Sequence, residues 1–494
     1  MKTEDHNERT AFVIFGITGD LTYRKLIPAL YELQREKRLP TPIDIIGFAR
    51  RPWKNEFTRE TLGNGLNEYA RVKPIVSGIQ NELLKTTTYI QSTFDDSHGY
   101  EKLYQVLQDQ GYKSVIYYLA TPPESYLPII KNLHICVKPD RKESTSRIVV
   151  EKPYGHDLNS ALVLEKELHK CFKESQIFRI DHYLGKETVQ NILIFRFANG
   201  IFEPLWNNHY IDHVKITVAE QVGVGTRAGY FEDAGIIRDM FANHLLQLLT
   251  LTAMEAPFAI NADSVRDEKM KVLRSLRPVK SVKGKIESVR AQYSGGLIDG
   301  EQVSGYLSEL GVNSASITET YLAVKIYVDN WRWAGVPFYI RSGKRMPIRE
   351  TEIVIQFKQA PLSLFDWKNL AGVAPNILTL RLQPDEGISL TFGAKRPGPK
   401  NEISPVVMDF CYQEAFGTEP PEAYERLLLD CISGDLTLFT RTDEVIEQWK
   451  FTDDIISAWN SEKLTRLPSY SAGTWGPNEA DLFIQKDNRE WKNH

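Results

Sequence analysis

The stretch Ala11-Phe12-Val13-Ile14-Phe15-Gly16-Ile17-Thr18-Gly19-Asp20-Leu21 decides how the chain is read. Its first five residues form a continuous apolar run, as a buried parallel strand does. A glycine turn follows at once. Leu21 to Arg35 then carries Leu21, Leu26, Ile27, Leu30, Tyr31 and Leu33 mostly at helical spacing. Strand, tight glycine turn and helix make the layout of a pyrophosphate site. The glycines let backbone approach the ligand, and the helix start offers N–H groups and positive potential. Pro28 falls in the body of that helix and predicts a kink or a late helix start. The motif is G-x-x-G, not the full G-x-G-x-x-G, and a plain turn would carry the same residues.

Context outward from this stretch favours the dinucleotide reading. Pro42 to Ala49 reads as a second strand and ends in Arg50-Arg51. An acidic residue near this point holds the ribose 2′-hydroxyl of NAD, whereas an arginine suits the 2′-phosphate of NADP. A solvated basic turn is the alternative. Ser114 to Ala120 and Arg147 to Val150 repeat the buried-strand pattern, the latter ending in Glu151-Lys152-Pro153. Lys152 before a proline stands on a stiff turn, suited to anchoring substrate or simply to the surface. Glu56 to Asp96 is polar and mixed, predicting helices with a short strand at Thr87 to Ile90. Asn159 to Phe172 has helical spacing, and Ile177 to Ile180 reads as a short sixth strand.

That strand runs into Asp181-His182-Tyr183-Leu184-Gly185-Lys186, an acid, an imidazole, a phenol and an ammonium within six residues. His182 and Lys186 suit a phosphate, and Asp181 suits the orienting of a histidine from elsewhere. The alternative is a capped helix, with Asp181 as N-cap and His182 and Lys186 on one exposed face.

Downstream, Asp212 to Gln221 alternates as a half-buried strand, with Glu220 at its end before the glycine-rich loop Gly223 to Gly229. Ile236 to Met254 is the clearest helix. His244 falls on its apolar stripe, where partial desolvation lowers a histidine's pKa and suits it to act as a base; a hydrogen-bonded core histidine is the alternative. Asp239, five residues earlier, lies some 140° around an α-helix and is a poor direct partner for it. Tyr321 to Asn330 and Pro421 to Ile432 read as helices. Arg341 to Lys344 and Arg345 to Arg349 read as a basic cluster in a loop between strands, suited to an anion or to solvent. Glu352 to Lys358, Ile377 to Leu382 and Gly387 to Phe392 alternate strongly and predict a large antiparallel sheet.

Composition bounds the function. The chain has 494 residues, enough for two or three domains. Its formal net charge of -4 argues against a nucleic-acid binder. Four dispersed cysteines without a C-x-x-C argue against a disulfide framework or a zinc site. The polar start and the lack of a long apolar run predict no signal peptide and no membrane span, hence a cytoplasmic protein. The change of pattern near residues 175 to 200 puts a domain boundary there, giving 1–178 and 179–494.

Together these pieces resemble one family. RIDHYLGKE at 179–187 is similar to the signature of the glucose-6-phosphate dehydrogenases. The resemblance extends through GITGDL (16–21), IIGFAR (45–50), VVEKPYG (149–155), AGYFEDAGIIRDM and NHLLQ (228–247), IRSGK (340–344) and EAYERLLLDCISGDLTLF (422–439). It covers nearly the whole chain in the family's order. It implies an α/β plus α+β fold, a Rossmann-type dinucleotide-binding domain followed by a β+α domain with a large, mainly antiparallel sheet. It also implies oxidation of glucose 6-phosphate to the 1,5-lactone with NADP, NAD being a possible secondary coenzyme. No metal is required, and the assembly implied is a homodimer or a dimer of dimers.

Residue by residue, the resemblance implies that Gly16, Thr18, Gly19, Asp20 and Leu21 form the coenzyme turn. Lys25 lies near the coenzyme, and Arg50 meets the 2′-phosphate. Lys152, before a proline that is cis in the family, bridges coenzyme and sugar. His182, Tyr183 and Lys186 hold the sugar phosphate. Glu220, Asp239 and Lys344 bind sugar hydroxyls or shape the pocket, and Arg349 joins the substrate-binding set. His244 is the general base and Asp181 its carboxylate partner. Thr18 and Thr22 stand where serine and alanine are frequent, both small changes. Glu350 follows Arg349 where some eukaryotic members are more basic around a second, structural NADP, so that site is not implied here. A dehydrogenase of unphosphorylated sugars, an NADP-binding sensor and a structural assembly protein are the rival readings.

Overall fold

The computed structural model describes residues 9–112, 114–138, 145–278, 287–361, 374–399, 402–417, 421–462 and 464–493. The chain forms two compact units. The first is Met1–Lys186 with Phe258–Arg266 and Pro421–Ile446; the second is Glu187–Pro257, Asp267–Pro420 and Glu447–His494. They interleave along the chain, so neither is a single contiguous half. Among the described residues none of the four cysteines is in a disulfide.

The first unit is built on six parallel strands: β1 (Thr10–Phe15), β2 (Ile43–Ala49), β3 (Thr88–Gln91), β4 (Ser114–Leu119), β5 (Thr145–Val150) and β6 (Ile177–Arg179). Their order is β3-β2-β1-β4-β5-β6, the doubly wound arrangement of dinucleotide-binding sheets. β1 and β2 are buried at every position, which is why their sequences are apolar apart from Thr10 and Asp44, the latter buried but held by Arg9 and Tyr112. The first helix opens with a π-helical turn, Thr22–Leu26, and becomes α-helical over Ile27–Arg35. Pro28 lies inside this continuous helix, just after the π-helical turn, so the irregularity expected of it takes the form of that wider turn and not of a late helix start.

Arg179 ends β6 fully inside the unit. Its guanidinium donates to Glu165 at 2.9 and 2.8 Å and to Glu174 at 2.7 and 3.0 Å. Thr442 Oγ1 accepts a further bond at 2.7 Å. A buried guanidinium is tolerable only when so fully paired. The pairing ties the sheet's edge to the helix Leu158–Cys171 and to the 421–446 segment.

The second unit holds β7 (Ile211–Ala219), β8 (Ser288–Ser294), a small hairpin of β9 (Gly296–Ile298) and β10 (Glu301–Val303), and β11 (Tyr321–Tyr327). β12 (Pro337–Gly343), β13 (Glu350–Phe357), β14 (Ile377–Gln383), β15 (Gly387–Lys395), β16 (Ile403–Cys411) and β17 (Ser469–Ser471) follow. Apart from the hairpin they form one nine-stranded sheet, β16-β15-β14-β13-β7-β12-β11-β8-β17. It is mainly antiparallel; β12 with β7 and β17 with β8 are its parallel pairs.

Three expectations are corrected here. Tyr321 to Asn330 is not a helix: Tyr321–Tyr327 is strand β11, paired on both edges. It lies deep in the sheet, and a strand buried on both faces loses the alternation that would have marked it. β7 is likewise buried almost throughout, not half-buried. Arg341, Ser342 and Gly343 are not in a loop but close β12. Arg341 is fully buried, sandwiched by Trp475 and Trp491 and donating to Thr217 Oγ1 at 3.1 Å and Lys492 O at 2.7 Å. It is a core cation, unavailable to an anion from solvent.

Candidate active site

In the first unit the expected coenzyme residues gather at the carboxyl ends of the parallel strands, where ligands of such sheets bind. Gly16 follows β1 with φ +85°, a conformation that favours glycine. An added Cβ there would lie 2.3 Å from Ala120 O, so only glycine leaves the cradle open. Gly19 N–H donates to Gly16 O at 2.9 Å and closes the turn. Thr18 is half-buried and Asp20 exposed, the latter paired with Arg24 at 2.7 Å. Leu21 lies directly before the π-helical turn and already has helical backbone angles. Arg50 is exposed just past β2, while Arg51 lies over the Trp53 ring. Lys25 Nζ pairs with Glu422 at 2.7 Å, so the structure gives it a protein partner that a coenzyme would have to share.

Lys152 follows β5, and its bond to Pro153 is cis. The preceding Glu151 is buried and accepts from the Tyr118 hydroxyl at 2.6 Å and the Tyr424 hydroxyl at 3.0 Å, while Tyr126 donates to its carbonyl at 2.9 Å. Burial pushes its carboxyl above the usual range, opposed by the two phenols. The sequence reading missed Glu151 and Tyr424 as a pair. Both lie inside quoted motifs, but 273 residues separate them.

The stretch after β6 is a hydrogen-bonded turn, not a capped helix, and the helix begins only at Glu187. Asp181 Oδ1 accepts from Tyr183 N–H at 2.9 Å, and its carbonyl accepts from Leu184 N–H at 3.0 Å. Asp181 and Tyr183 are buried, at 4% exposure each. His182 and Lys186 are half-exposed, with Lys186 Nζ 4.4 Å from the Tyr183 ring centre and the His182 ring 5.1 Å from it. One turn thus presents an imidazole, a phenol and an ammonium side by side.

In the second unit, sheet register builds the other cluster. The parallel pairing of β12 with β7 sets Gly343 against Ala219, so the next residues, Lys344 and Glu220, leave the sheet together. Lys344 Nζ lies 2.6 Å from Glu220 Oε2 and 3.4 Å from Asp239 Oδ2. It also sits 5.1 Å from the Phe231 ring centre. Arg227 reaches Asp239 from the other side at 3.5 Å. Tyr470 donates to Lys344 O at 2.6 Å and Thr320 O accepts Lys344 N–H at 3.0 Å, so backbone as well as side chain is held. Arg227, Thr320 and Tyr470 had no sequence signal pointing to this place.

Asp239 and His244 lie on one segment, Ile237–Leu245, which is π-helical. The angle of 140° assumed an α-helix and is corrected here. The i→i+5 bonding of a π-helix stacks residues five apart about one turn above each other, and such segments are frequent at functional sites. Asp239 is 2% exposed and His244 is fully buried. Arg349 is exposed and makes a long contact to Gln383 Oε1 at 3.4 Å.

Comparison with known proteins places these features. The family model described as glucose-6-phosphate dehydrogenase, NAD binding domain, matches residues 13–191. The one described as glucose-6-phosphate dehydrogenase, C-terminal domain, matches residues 193–492. Glucose-6-phosphate 1-dehydrogenase of Aggregatibacter actinomycetemcomitans is 46% identical, the match covering 98% of this chain and 97% of that protein. The Bacillus subtilis (strain 168) protein of that name is 42% identical over the full length of both. A solved structure of glucose-6-phosphate dehydrogenase in complex with its substrate glucose-6-phosphate superposes with TM-score 0.88 at 34% identity, covering 99% of each chain. Glucose-6-phosphate 1-dehydrogenase from Mycobacterium avium gives TM-score 0.84 at 32% identity, again covering 99% of each. A nicotinamide dinucleotide is therefore the cofactor class of the first unit, and the open cradle at Gly16 fits it. On these matches and this fold, the chain belongs to the glucose-6-phosphate dehydrogenase family.

Proposed function

We propose that the chain oxidises glucose 6-phosphate to 6-phosphoglucono-1,5-lactone, with NADP+ as hydride acceptor, the first step of the oxidative pentose phosphate pathway. The observation that carries the reading is the turn Asp181–Lys186 at the carboxyl end of β6, in a sheet ordered for a dinucleotide. His182, Tyr183 and Lys186 bind the 6-phosphate, as a phenol and two nitrogen groups grouped on one short turn are suited to do. Glu220, Asp239 and Lys344 take the sugar hydroxyls, an alternation of charge that matches groups able both to donate and to accept.

The coenzyme, bound at the Gly16 turn with Arg50 on its 2′-phosphate, accepts the hydride from C1. His244 removes the proton from the C1 hydroxyl, a task suited to an imidazole near neutral pH. Asp181 is assigned as its carboxylate partner, keeping the tautomer and stabilising the imidazolium, as a triad carboxylate does. Lys152 serves coenzyme and sugar together. Phosphate contacts remote from C1 supply binding energy for alignment. In this reading Arg349 stands at the margin, and NAD is a secondary coenzyme. The protein acts in the cytoplasm as a homodimer or dimer of dimers. Exposed Val407 and Met408 on β16, the end strand of the large sheet, support a subunit contact. Among the described residues no helix is long and apolar enough to cross a membrane.

The test is absorbance at the reduced-nicotinamide band with either coenzyme, offering glucose 6-phosphate, glucose and galactose 6-phosphate. Reduction confined to glucose 6-phosphate with NADP+ preferred is expected. Equal rates with unphosphorylated glucose would overturn the phosphate assignment. His244→Ala should remove most turnover and leave sugar-phosphate binding intact; near-wild-type turnover would remove His244 as the base.

A further inference from the structure

Glu319 lies just before β11 and is 7% exposed. Its carbonyl accepts the Ile236 N–H at 2.9 Å and its side-chain Oε1 accepts the Ile237 N–H at 3.2 Å. Ile237 is the first residue of the π-helical segment that carries Asp239 and His244. N–H groups at a helix start lack partners within the helix, and an acceptor there also answers the positive end of the dipole. The chain enters this segment through Gly235, at φ +60° and ψ 175°. A Cβ at Gly235 would lie 2.2 Å from Glu319 Oε1. Backbone and carboxyl are therefore fitted to each other.

The neighbouring residue completes a ring. Thr320 O holds Lys344 N–H at 3.0 Å, and Lys344 Nζ reaches Asp239 Oδ2 at 3.4 Å. From Glu319 the path runs through Ile237 to Asp239, across to Lys344, and back through Thr320 to Glu319. We propose that Glu319 is a positioning residue for the sugar site: it sets where the π-helical segment begins, and with it the placement of Asp239 and His244 against Lys344. This rests on the reading of those three residues as sugar-binding and proton-accepting groups. Burial pushes the Glu319 carboxyl above the usual range. What matters here is the acceptor oxygen more than the charge, and glutamine keeps that oxygen.

The test uses Glu319→Gln, Glu319→Met and His244→Ala in the full chain, with kcat, both KM values and thermal midpoint measured. Losing an acceptor to a buried N–H is worth about tenfold or more. Glu319→Met should raise KM for glucose 6-phosphate and lower kcat by about that factor, leaving KM for NADP+ within about twofold. Glu319→Gln should stay near wild type. Wild-type sugar kinetics in Glu319→Met would overturn the proposal, as would equal losses for sugar and coenzyme, which mark general damage. Should Glu319→Met fail to fold, Glu319→Asp, one methylene shorter, carries the test: a raised sugar KM supports the assignment and an unchanged one removes it. An inactive His244→Ala beside an unaffected Glu319→Met sinks this inference alone; an active His244→Ala sinks the reading beneath it.

Discussion

Lys344 Nζ lies 2.6 Å from Glu220 Oε2, and the lysine that makes this pair is 4% exposed. With Asp239 on its other side at 3.4 Å, it is a buried cation between two carboxylates. Breaking such a pair from one side leaves charge without compensation, at a cost of about 3–5 kcal/mol. Lys344→Met should lower stability by that order in urea unfolding and raise KM for glucose 6-phosphate at least tenfold. Glu220→Gln should be milder, because Asp239 remains. A wild-type KM in Lys344→Met would mean that this cluster does not meet the sugar.

Gly16→Ala places a Cβ against Ala120 O in a backbone conformation that L side chains rarely adopt. The cost of such strain is about 1–3 kcal/mol, and the turn must move to relieve it. Coenzyme affinity, followed by fluorescence of the bound reduced coenzyme, should fall by at least tenfold. Sugar-phosphate binding measured without coenzyme should be unchanged. Retained coenzyme affinity would argue that backbone at Gly16 does not approach the ligand.

Arg50 is exposed beyond β2 and has the position and charge for a 2′-phosphate. A hydrogen bond to a charged group is worth roughly 1.5–3 kcal/mol, so Arg50→Ala should raise KM for NADP+ by about one to two orders of magnitude. KM for NAD+ should change little. If both rise together, the arginine serves the fold of the turn and not coenzyme choice.

Asp430, on the helix Ala423–Ser433, is 5% exposed. Burial raises its carboxyl to about 6, against the opposing pull of Arg426. A carboxyl that holds its proton more tightly when folded contributes stability at pH below about 4, and that contribution is lost as pH rises through 6. Two units correspond to about 3 kcal/mol. The stability of the wild type relative to Asp430→Asn should therefore fall by that order between pH 4 and pH 7, read as a shift in urea midpoint. A difference that stays constant over this range would show that the Asp430 carboxyl titrates alike in the folded and unfolded chain.

The first sheet was legible in the sequence because central strands such as β1 and β4 bury both faces and read as near-continuous apolar runs, AFVIF and SVIYYL. The same rule hid β11, whose buried residues YLAVKIY carry no alternation to separate strand from helix. Arg341 looked like surface charge because sequence carries no record of Trp475 and Trp491 closing over it. The turn Asp181–Lys186 could be found from its residue types but not told from a capped helix, since the bonds that fold it back depend on the strand that delivers it.

By itself the sequence determined the strand–glycine–helix opening, the two kinds of sheet, and the residue types offered for phosphate, coenzyme and proton transfer. These are local properties, set by side-chain periodicity and backbone preference within a dozen residues. Only the tertiary structure decided that Lys344 stands beside Glu220, because parallel register between β12 and β7 carries both past the sheet's edge together. Only it decided that Asp239 and His244 share a π-helical segment whose first N–H is held by Glu319. Contacts between residues a hundred or more positions apart are selected by the packing of whole elements, and no local pattern encodes which pair will meet.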